Sequence, residues 1–185
     1  IDLSAADGWQ PGTLYVDPWD VVIGLNGADD ALVSDNTITF AEGDTTPGAV
    51  TNISAAFLSS LSGAILIEAL NDIFVDVQID LSTNSNPVAF DAVRDVIFNA
   101  NVVGATGLDV TAGRDIRFQA TGATDFDVSG AITLDAMTLF VNGSLTGTGI
   151  SITGDVELDS GSGAGQTIDA GTGALSVTGE VRKTD

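Results

Sequence analysis

The amino-acid sequence predicts an all-β fold, a parallel β-helix (β-solenoid) with coils of about 20 residues. A nine-residue motif occurs three times, beginning at Ala69, Ala92 and Ala112. The aspartate of this motif recurs after 23 and then 20 residues, which is the spacing of stacked coils. Apolar and polar residues alternate on both sides of the aspartate, as in strands with one buried face. The 22 glycines and the low aromatic content of 6% also suit thin coils with tight corners.

Each coil is predicted to contain two short strands, separated by a bend at the Asn-Asp or Arg-Asp pair of the motif. Val88 and Phe90 precede the bend and Phe98 follows it, and all three fall on the predicted inner side. A single coil cannot bury its apolar side alone, so the fold requires stacking. Stacking in register should place Val75, Phe98 and Phe118 in one internal column, with a spacing of about 4.8 Å.

The 185 residues suit one continuous structural domain with two parts. Residues 1–63 are expected to form N-terminal coils and a capping segment, and residues 64–185 the regular coils. A short helical segment is predicted near 54–61, because apolar residues recur there at four-residue spacing and Ser54 can act as an N-cap.

The charge and composition exclude several functional classes. The net charge of −21 repels phosphate backbones and anionic lipid surfaces, so we expect no nucleic-acid partner and no acidic membrane. The sequence has no cysteine and no histidine, which excludes thiolate chemistry and the usual general base. No uncharged apolar stretch is long enough for membrane insertion. Such acidity is typical of a solvated surface.

The repeated aspartates are the first candidate site. Asp72, Asp95 and Asp115 should stack in one outward or corner column, with Arg94 directly under Arg114. A ladder of carboxylates could bind Ca²⁺, which prefers hard oxygen ligands. The favoured interpretation is that each aspartate hydrogen-bonds the backbone of its own bend, as in an Asx turn. We therefore expect no metal and no other cofactor.

A second candidate is an acidic strand near the C-terminal end of the sequence. Asp155, Glu157 and Asp159 alternate with apolar residues and should point outward together. Clustered carboxylates can act as acid and base in glycoside cleavage. None of the three has an evident basic neighbour in the sequence, so a solvated acidic face is favoured and no catalytic residue is predicted. Trp9 and Trp19 could stack on sugars, although covering the open core is the favoured role.

Several stretches of the sequence resemble the filamentous haemagglutinin-like exoproteins of two-partner secretion. The resemblance rests on residues 11–23, 53–63, 108–116 and 177–185. It implies a right-handed β-helix, export across an outer membrane, and a location outside the cell or on the bacterial surface. The sequence lacks the Asn-Pro-Asn motif associated with the secretion domain of that family, which indicates a passenger segment.

The expected function is therefore that of a non-enzymatic, extracellular structural or adhesive segment of a large surface protein or fibre. Its expected partners are a host or neighbouring-cell surface or a glycan, and head-to-tail self-association into a fibre is a further expectation. The alternative is a carbohydrate-binding or carbohydrate-active β-helix that uses its outward carboxylates.

Overall fold

The computed structural model describes residues 13–14, 18–33, 47–83, 87–119, 125–159 and 166–184. These residues form a β-solenoid, which confirms the predicted fold class. Every described strand pair is parallel, and the strands stack in three faces.

Each face is a parallel sheet with one strand from each successive coil. In stacking order, the first face contains β1 (Thr13–Leu14), β4 (Ala64–Ala69), β7 (Val88–Ala92), β10 (Leu108–Ala112), the first halves of β13 (Ile132–Val141) and β15 (Ile150–Asp159), and β17 (Leu175–Thr178). The second face contains β3 (Val50–Ser54), β2 (Asp20–Gly24), β5 (Asp72–Val75), β8 (Asp95–Phe98), β11 (Asp115–Phe118), the second halves of β13 and β15, and β18 (Val181–Thr184). The third face contains β6 (Ile79–Asp80), β9 (Val102–Val103), β12 (Asp125–Asp127), β14 (Ser144–Thr146) and β16 (Thr167–Asp169).

The core is a set of apolar columns enclosed by the three faces. Val75, Phe98 and Phe118 lie in consecutive coils in register, and all three side chains are buried. The rings of Phe98 and Phe118 stack with centroids 5.0 Å apart, and Phe126 of the third face contacts both edge-on. Stacked and edge-on rings are the favourable arrangements of aromatic pairs. The aromatic residues therefore join the second and third faces.

The third face is the main difference from the predicted architecture, which had two strands in each coil. Its first two strands, β6 and β9, contain only two residues each. Alternation of apolar and polar residues needs about four residues to be visible in a sequence, so these strands gave no signal.

In the N-terminal part, strand β3 stacks out of chain order and a short helix follows it. Strand β3 pairs with β2 on the side away from β5, so that β2 lies between two partners. Helix α1 (Ala55–Ser59) follows directly, and Ser54 Oγ accepts a hydrogen bond from the Phe57 backbone N–H at 3.1 Å. The predicted helical segment and its N-cap are confirmed. Leu58 of α1 is buried in the core, and the helix packs against β6 at the edge of the third face.

The corner between the first and second faces becomes shorter along the chain. Three residues separate the paired positions Thr111 and Asp115, two separate Asp135 and Thr138, and Gly154 alone fills the corner in β15. Strands β13 and β15 therefore run through the corner without a break.

Replacement of Gly154 by alanine is expected to destabilise the solenoid by about 2–3 kcal/mol. Gly154 has φ of +120°, and an added Cβ would lie 1.9 Å from the Ala136 carbonyl oxygen. The measurement is the free energy of unfolding in urea. Gly149→Ala is the matched control, because the nearest atom to its added Cβ is 3.8 Å away. Equal losses in the two variants would contradict this account of the corner.

Candidate functional site

The repeated aspartates form a ladder at the corner between the first and second faces. Asp72, Asp95 and Asp115 are in register, and each is less than a tenth exposed. Asp72 Oδ1 accepts hydrogen bonds from Arg94 Nε at 2.7 Å and from the Asp95 backbone N–H at 3.2 Å, and Asp72 Oδ2 pairs with Arg94 Nη2. The carboxylate therefore receives a two-pronged contact from a guanidinium group, the strongest form of such a pair.

The same contacts recur one coil further on. Asp95 Oδ1 accepts from Arg114 Nε at 2.8 Å and from the Asp115 backbone N–H at 3.2 Å. In the coil before, Asp20 Oδ1 accepts from Asn71 Nδ2 at 2.7 Å and from the Asp72 backbone N–H at 3.0 Å. The carboxylates of Asp20, Asp72 and Asp95 are thus each bound by the corner of the next coil. The predicted Asx turn, in which the carboxylate binds its own bend, is wrong.

Hydrogen bonding within this ladder also raises the pKa values of two arginines. The hydrogen bond to Asp72 raises the pKa of Arg94, and the hydrogen bond to Asp95 raises the pKa of Arg114. Both guanidinium groups are about half exposed, whereas the carboxylates of Asp72 and Asp95 are 4% exposed. The arginines therefore shield the buried carboxylates from solvent and neutralise them.

The ladder changes at Asp115, because Thr138 occupies the next position of the column. No arginine follows at this corner, and Arg117 of the same strand donates from Nη2 to Asp115 Oδ2 at 2.6 Å instead. Among the described residues, no group of three or more acidic side chains is arranged to hold a metal ion. The ladder contacts that the structure describes are those of a structural ion-pair series.

The second acidic candidate also has basic neighbours that the sequence did not reveal. Asp155 Oδ1 accepts from the Glu180 backbone N–H at 3.0 Å, and Asp155 Oδ2 pairs with Arg182 Nη2. Glu157 lies in register with Arg182 on β18. The expectation that these acids have no evident basic neighbour is therefore wrong for Asp155, because its partner comes from the next coil. Asp159 ends β15, and its side chain lies outside the described residues.

The outward positions of the first face carry like charges. Glu68 lies directly opposite Asp91 in register, and Asp109 follows on the next strand. Partial burial raises the pKa of Asp91, and the Asp109 carboxylate raises it further. The folded state therefore takes up a proton at Asp91 at a higher pH than the unfolded chain does.

Replacement of Asp91 by asparagine is expected to stabilise the protein at pH 7 by about 0.5 kcal/mol, because it removes a like-charge pair. The gain should disappear as the pH falls through the raised pKa toward the ordinary value of 3.8, since protonation then removes the charge in the wild type. The measurement is the unfolding midpoint of both proteins between pH 7 and pH 3. Asp127→Asn on the third face is the control, because its partners in register are Val103 and Thr146. A gain that does not change with pH would contradict the prediction.

The second face carries an outward array that the repeat pattern did not indicate. Phe74, Ile97, Arg117 and Phe140 form one column in register across consecutive coils, and each is partly exposed. The Arg117 guanidinium lies over the Phe140 ring, 4.1 Å from its centroid, which is a cation–π contact.

A column of mainly amide side chains runs beside the first. Each of its members stands two residues after a member of the first column. Their backbone N–H groups donate to carbonyl oxygens of the preceding coil, and the members are Asp76, Asn99, Gln119 and Asn142. Asn99 Nδ2 also donates to Asp76 Oδ1 at 2.7 Å. The signal in the sequence was a large residue followed two positions later by Asp, Asn or Gln at the end of each second strand. We call these two columns the second-face array.

Of the two tryptophans, only Trp19 lies in the described part of the chain. Trp19 is half-buried and precedes β2, where its carbonyl oxygen accepts from the Asn71 backbone N–H at 2.8 Å. Trp9 lies outside the described residues. In the described part of the chain, no helix is long enough and apolar enough to cross a lipid bilayer.

Comparison with known proteins gives no functional assignment, so a functional argument rests on the fold and on these contacts. No protein-family model, no curated protein and no solved structure matches this chain.

Proposed function

We propose that this chain is a non-enzymatic, extracellular β-solenoid segment of a secreted surface adhesin or fibre. In this role it holds a binding surface toward a host cell, a neighbouring cell or a glycan. The support is the ion-pair ladder: the carboxylates of Asp72, Asp95 and Asp155 are each bound by an arginine of the next coil. Both oxygens of each of these carboxylates already accept hydrogen bonds from the protein, so they are poorly placed to act on a substrate as an acid or a base.

The architecture and the charge are consistent with this role. Each coil stacks on the next in parallel register, so the length of the solenoid can vary with the number of coils. The net charge of −21 keeps such an exposed segment in solution. The sequence resemblance to haemagglutinin-like exoproteins favours the same role. Head-to-tail self-association is a separate proposal, and light scattering over a range of concentrations tests it.

The test is a combined binding and cleavage assay with the purified chain. Beads that carry the chain are incubated with intact bacterial and animal cells and with immobilised glycans, with and without Ca²⁺. Released reducing ends are measured in the same wells. We expect saturable retention on at least one surface and no release of reducing ends. Retention on none of the surfaces would contradict the adhesive role.

The alternative function, a carbohydrate-active β-helix, makes the opposite prediction in that assay. Release of reducing ends that is abolished by the combined substitutions Asp155→Asn, Glu157→Gln and Asp159→Asn would establish it. Asp109→Asn and Asp127→Asn form the control variant, because they remove exposed acids from the first and third faces.

A further inference from the structure

We propose that the second-face array binds a neutral, linear polysaccharide that lies along the stacking axis of the coils. This inference rests on the proposed adhesive function and names the site and the class of ligand. It is argued from the charges, the side chains and the geometry of the second face.

The second face differs in charge from the other two faces. The outward charged residues described on the first and third faces are all acidic: Glu68, Asp91, Asp109 and Asp135 on the first face, and Asp80, Asp127 and Asp169 on the third. On the second face, Arg94, Arg114 and Arg117 each pair with an aspartate of the corner ladder. The ladder charges are therefore balanced. With the outward acids Asp76 and Glu157 the second face is still the least acidic of the three, so it fits an uncharged ligand better than a cation.

The side chains of the array match the two needs of sugar recognition. Phe74, Ile97 and Phe140 offer apolar surface, and the Arg117 guanidinium is planar and continues the column. Asn99, Gln119 and Asn142 carry amides that both donate and accept hydrogen bonds, as sugar hydroxyl groups do. Sugar rings combine an apolar face with a rim of hydroxyl groups, so one ring can use both columns.

The geometry favours a long polymer over a single sugar. Each coil presents one apolar or planar side chain and one polar side chain, and the pair repeats at the strand spacing of about 4.8 Å. Four consecutive coils carry it, beginning with Phe74 and Asp76 and ending with Phe140 and Asn142. A linear glycan repeats its own unit along its length, so successive units can make equivalent contacts.

An extended peptide is a less suitable ligand for the array. Peptides that bind β-sheets as an added strand require an exposed sheet edge, because the affinity comes from backbone hydrogen bonds. The array lies on the outer surface of β5, β8, β11 and β13, and each of these strands has a paired strand on both sides. Acidic polysaccharides are unsuitable because the chain carries a net charge of −21.

The test measures binding of the full chain to immobilised neutral polysaccharides: a β-1,3-glucan, a β-1,4-glucan, a mannan and a galactan. An extended alternating peptide and a sulfated glycan are included as competing ligand classes. We expect saturable binding to at least one neutral polymer. Phe74→Ser and Phe140→Ser should each weaken binding about tenfold, because each removes partly exposed apolar surface from the array.

Two further variants separate loss of the site from loss of the fold. Asn99→Ala removes an exposed amide of the array and its hydrogen bond to Asp76, and should weaken binding severalfold with only a small decrease in the unfolding midpoint. Leu66→Ser is the matched control, because Leu66 is an outward apolar residue on the first face, where it lines a shallow cavity. It should leave binding unchanged.

The outcomes distinguish this inference from the proposed function. Binding to a neutral polymer that is equally strong in the Phe74, Asn99 and Phe140 variants would keep the adhesive role and overturn the site. Binding only to the peptide or the sulfated glycan would overturn the ligand class. Binding to cells but to none of the four polymers would overturn the inference and leave adhesion in place. Failure to bind any surface would overturn both.

Discussion

Phe98→Asp is expected to unfold the solenoid. The Phe98 ring is fully buried and contacts Phe90, Phe118 and Phe126, with centroid distances between 5.0 and 5.4 Å. Loss of a buried phenylalanine costs about 3–5 kcal/mol even when alanine replaces it. A carboxylate adds the cost of burying an unpaired charge, so the total reaches the stability of a typical domain, about 5–15 kcal/mol. The measurements are the far-ultraviolet circular dichroism spectrum and the urea unfolding curve.

The neighbouring substitution Asn99→Asp provides the control. Asn99 is exposed, and its amide donates to Asp76 in the preceding coil. Its replacement by aspartate loses that hydrogen bond and creates an exposed like-charge pair, at a cost of about 1 kcal/mol or less. The spectrum should remain that of the folded protein. Equal tolerance of the two substitutions would show that the register of β8 is wrong.

Arg114→Ala is expected to produce the second-largest loss of stability, about 3 kcal/mol or more. The substitution removes two hydrogen bonds from Asp95, a carboxylate that is 4% exposed. The remaining hydrogen bond, from the Asp115 backbone N–H, carries no net charge, and Arg94, whose Nε lies 3.9 Å from Asp95 Oδ2, is already bound to Asp72. Breaking a buried pair from one side costs more than the pair contributes, because the other charge stays buried. The free energy of unfolding at pH 7 measures the effect.

A second ion pair of the same kind supplies the control for Arg114→Ala. Arg182 pairs with Asp155, whose side chain is 37% exposed, so Arg182→Ala should cost about 1 kcal/mol or less. A double-mutant cycle with Asp95→Asn tests why Arg114→Ala costs more stability than Arg182→Ala. The double variant Asp95→Asn/Arg114→Ala should be more stable than Arg114→Ala alone, because the buried charge is absent. A double variant as unstable as the sum of the single variants would contradict the argument.

The parts of the fold that were predictable are those with regular alternation. The strands before and after each corner aspartate alternate over several residues, and this alternation placed Val75, Phe98 and Phe118 in one column. The short helix was predictable because the apolar spacing and Ser54 agreed. Strand β3 was not, because a sequence does not indicate that β3 pairs on the outer side of β2.

The contacts of the candidate sites were less predictable for one physical reason. Alternation within a strand shows which side a residue faces, but hydrogen-bond partners in a solenoid come from the neighbouring coil. Asp72 and Arg94 are 22 positions apart, and Asp155 and Arg182 are 27 apart. Unequal coil lengths and shortened corners change these separations, so the partners become apparent only when the coils are stacked. The second-face array was overlooked for the same reason.

The placement of β3 outside β2 has a mechanical consequence. A force that pulls the two ends of the chain apart acts first on strands that can peel away one hydrogen bond at a time. Within the described strands, β1 pairs with β4 alone, so it can separate in this way. Strand β2 is held on one side by β3 and on the other by β5, and it must shear against both neighbours at once. Under tension on the N-terminal side, β1 should therefore detach before β2 shears.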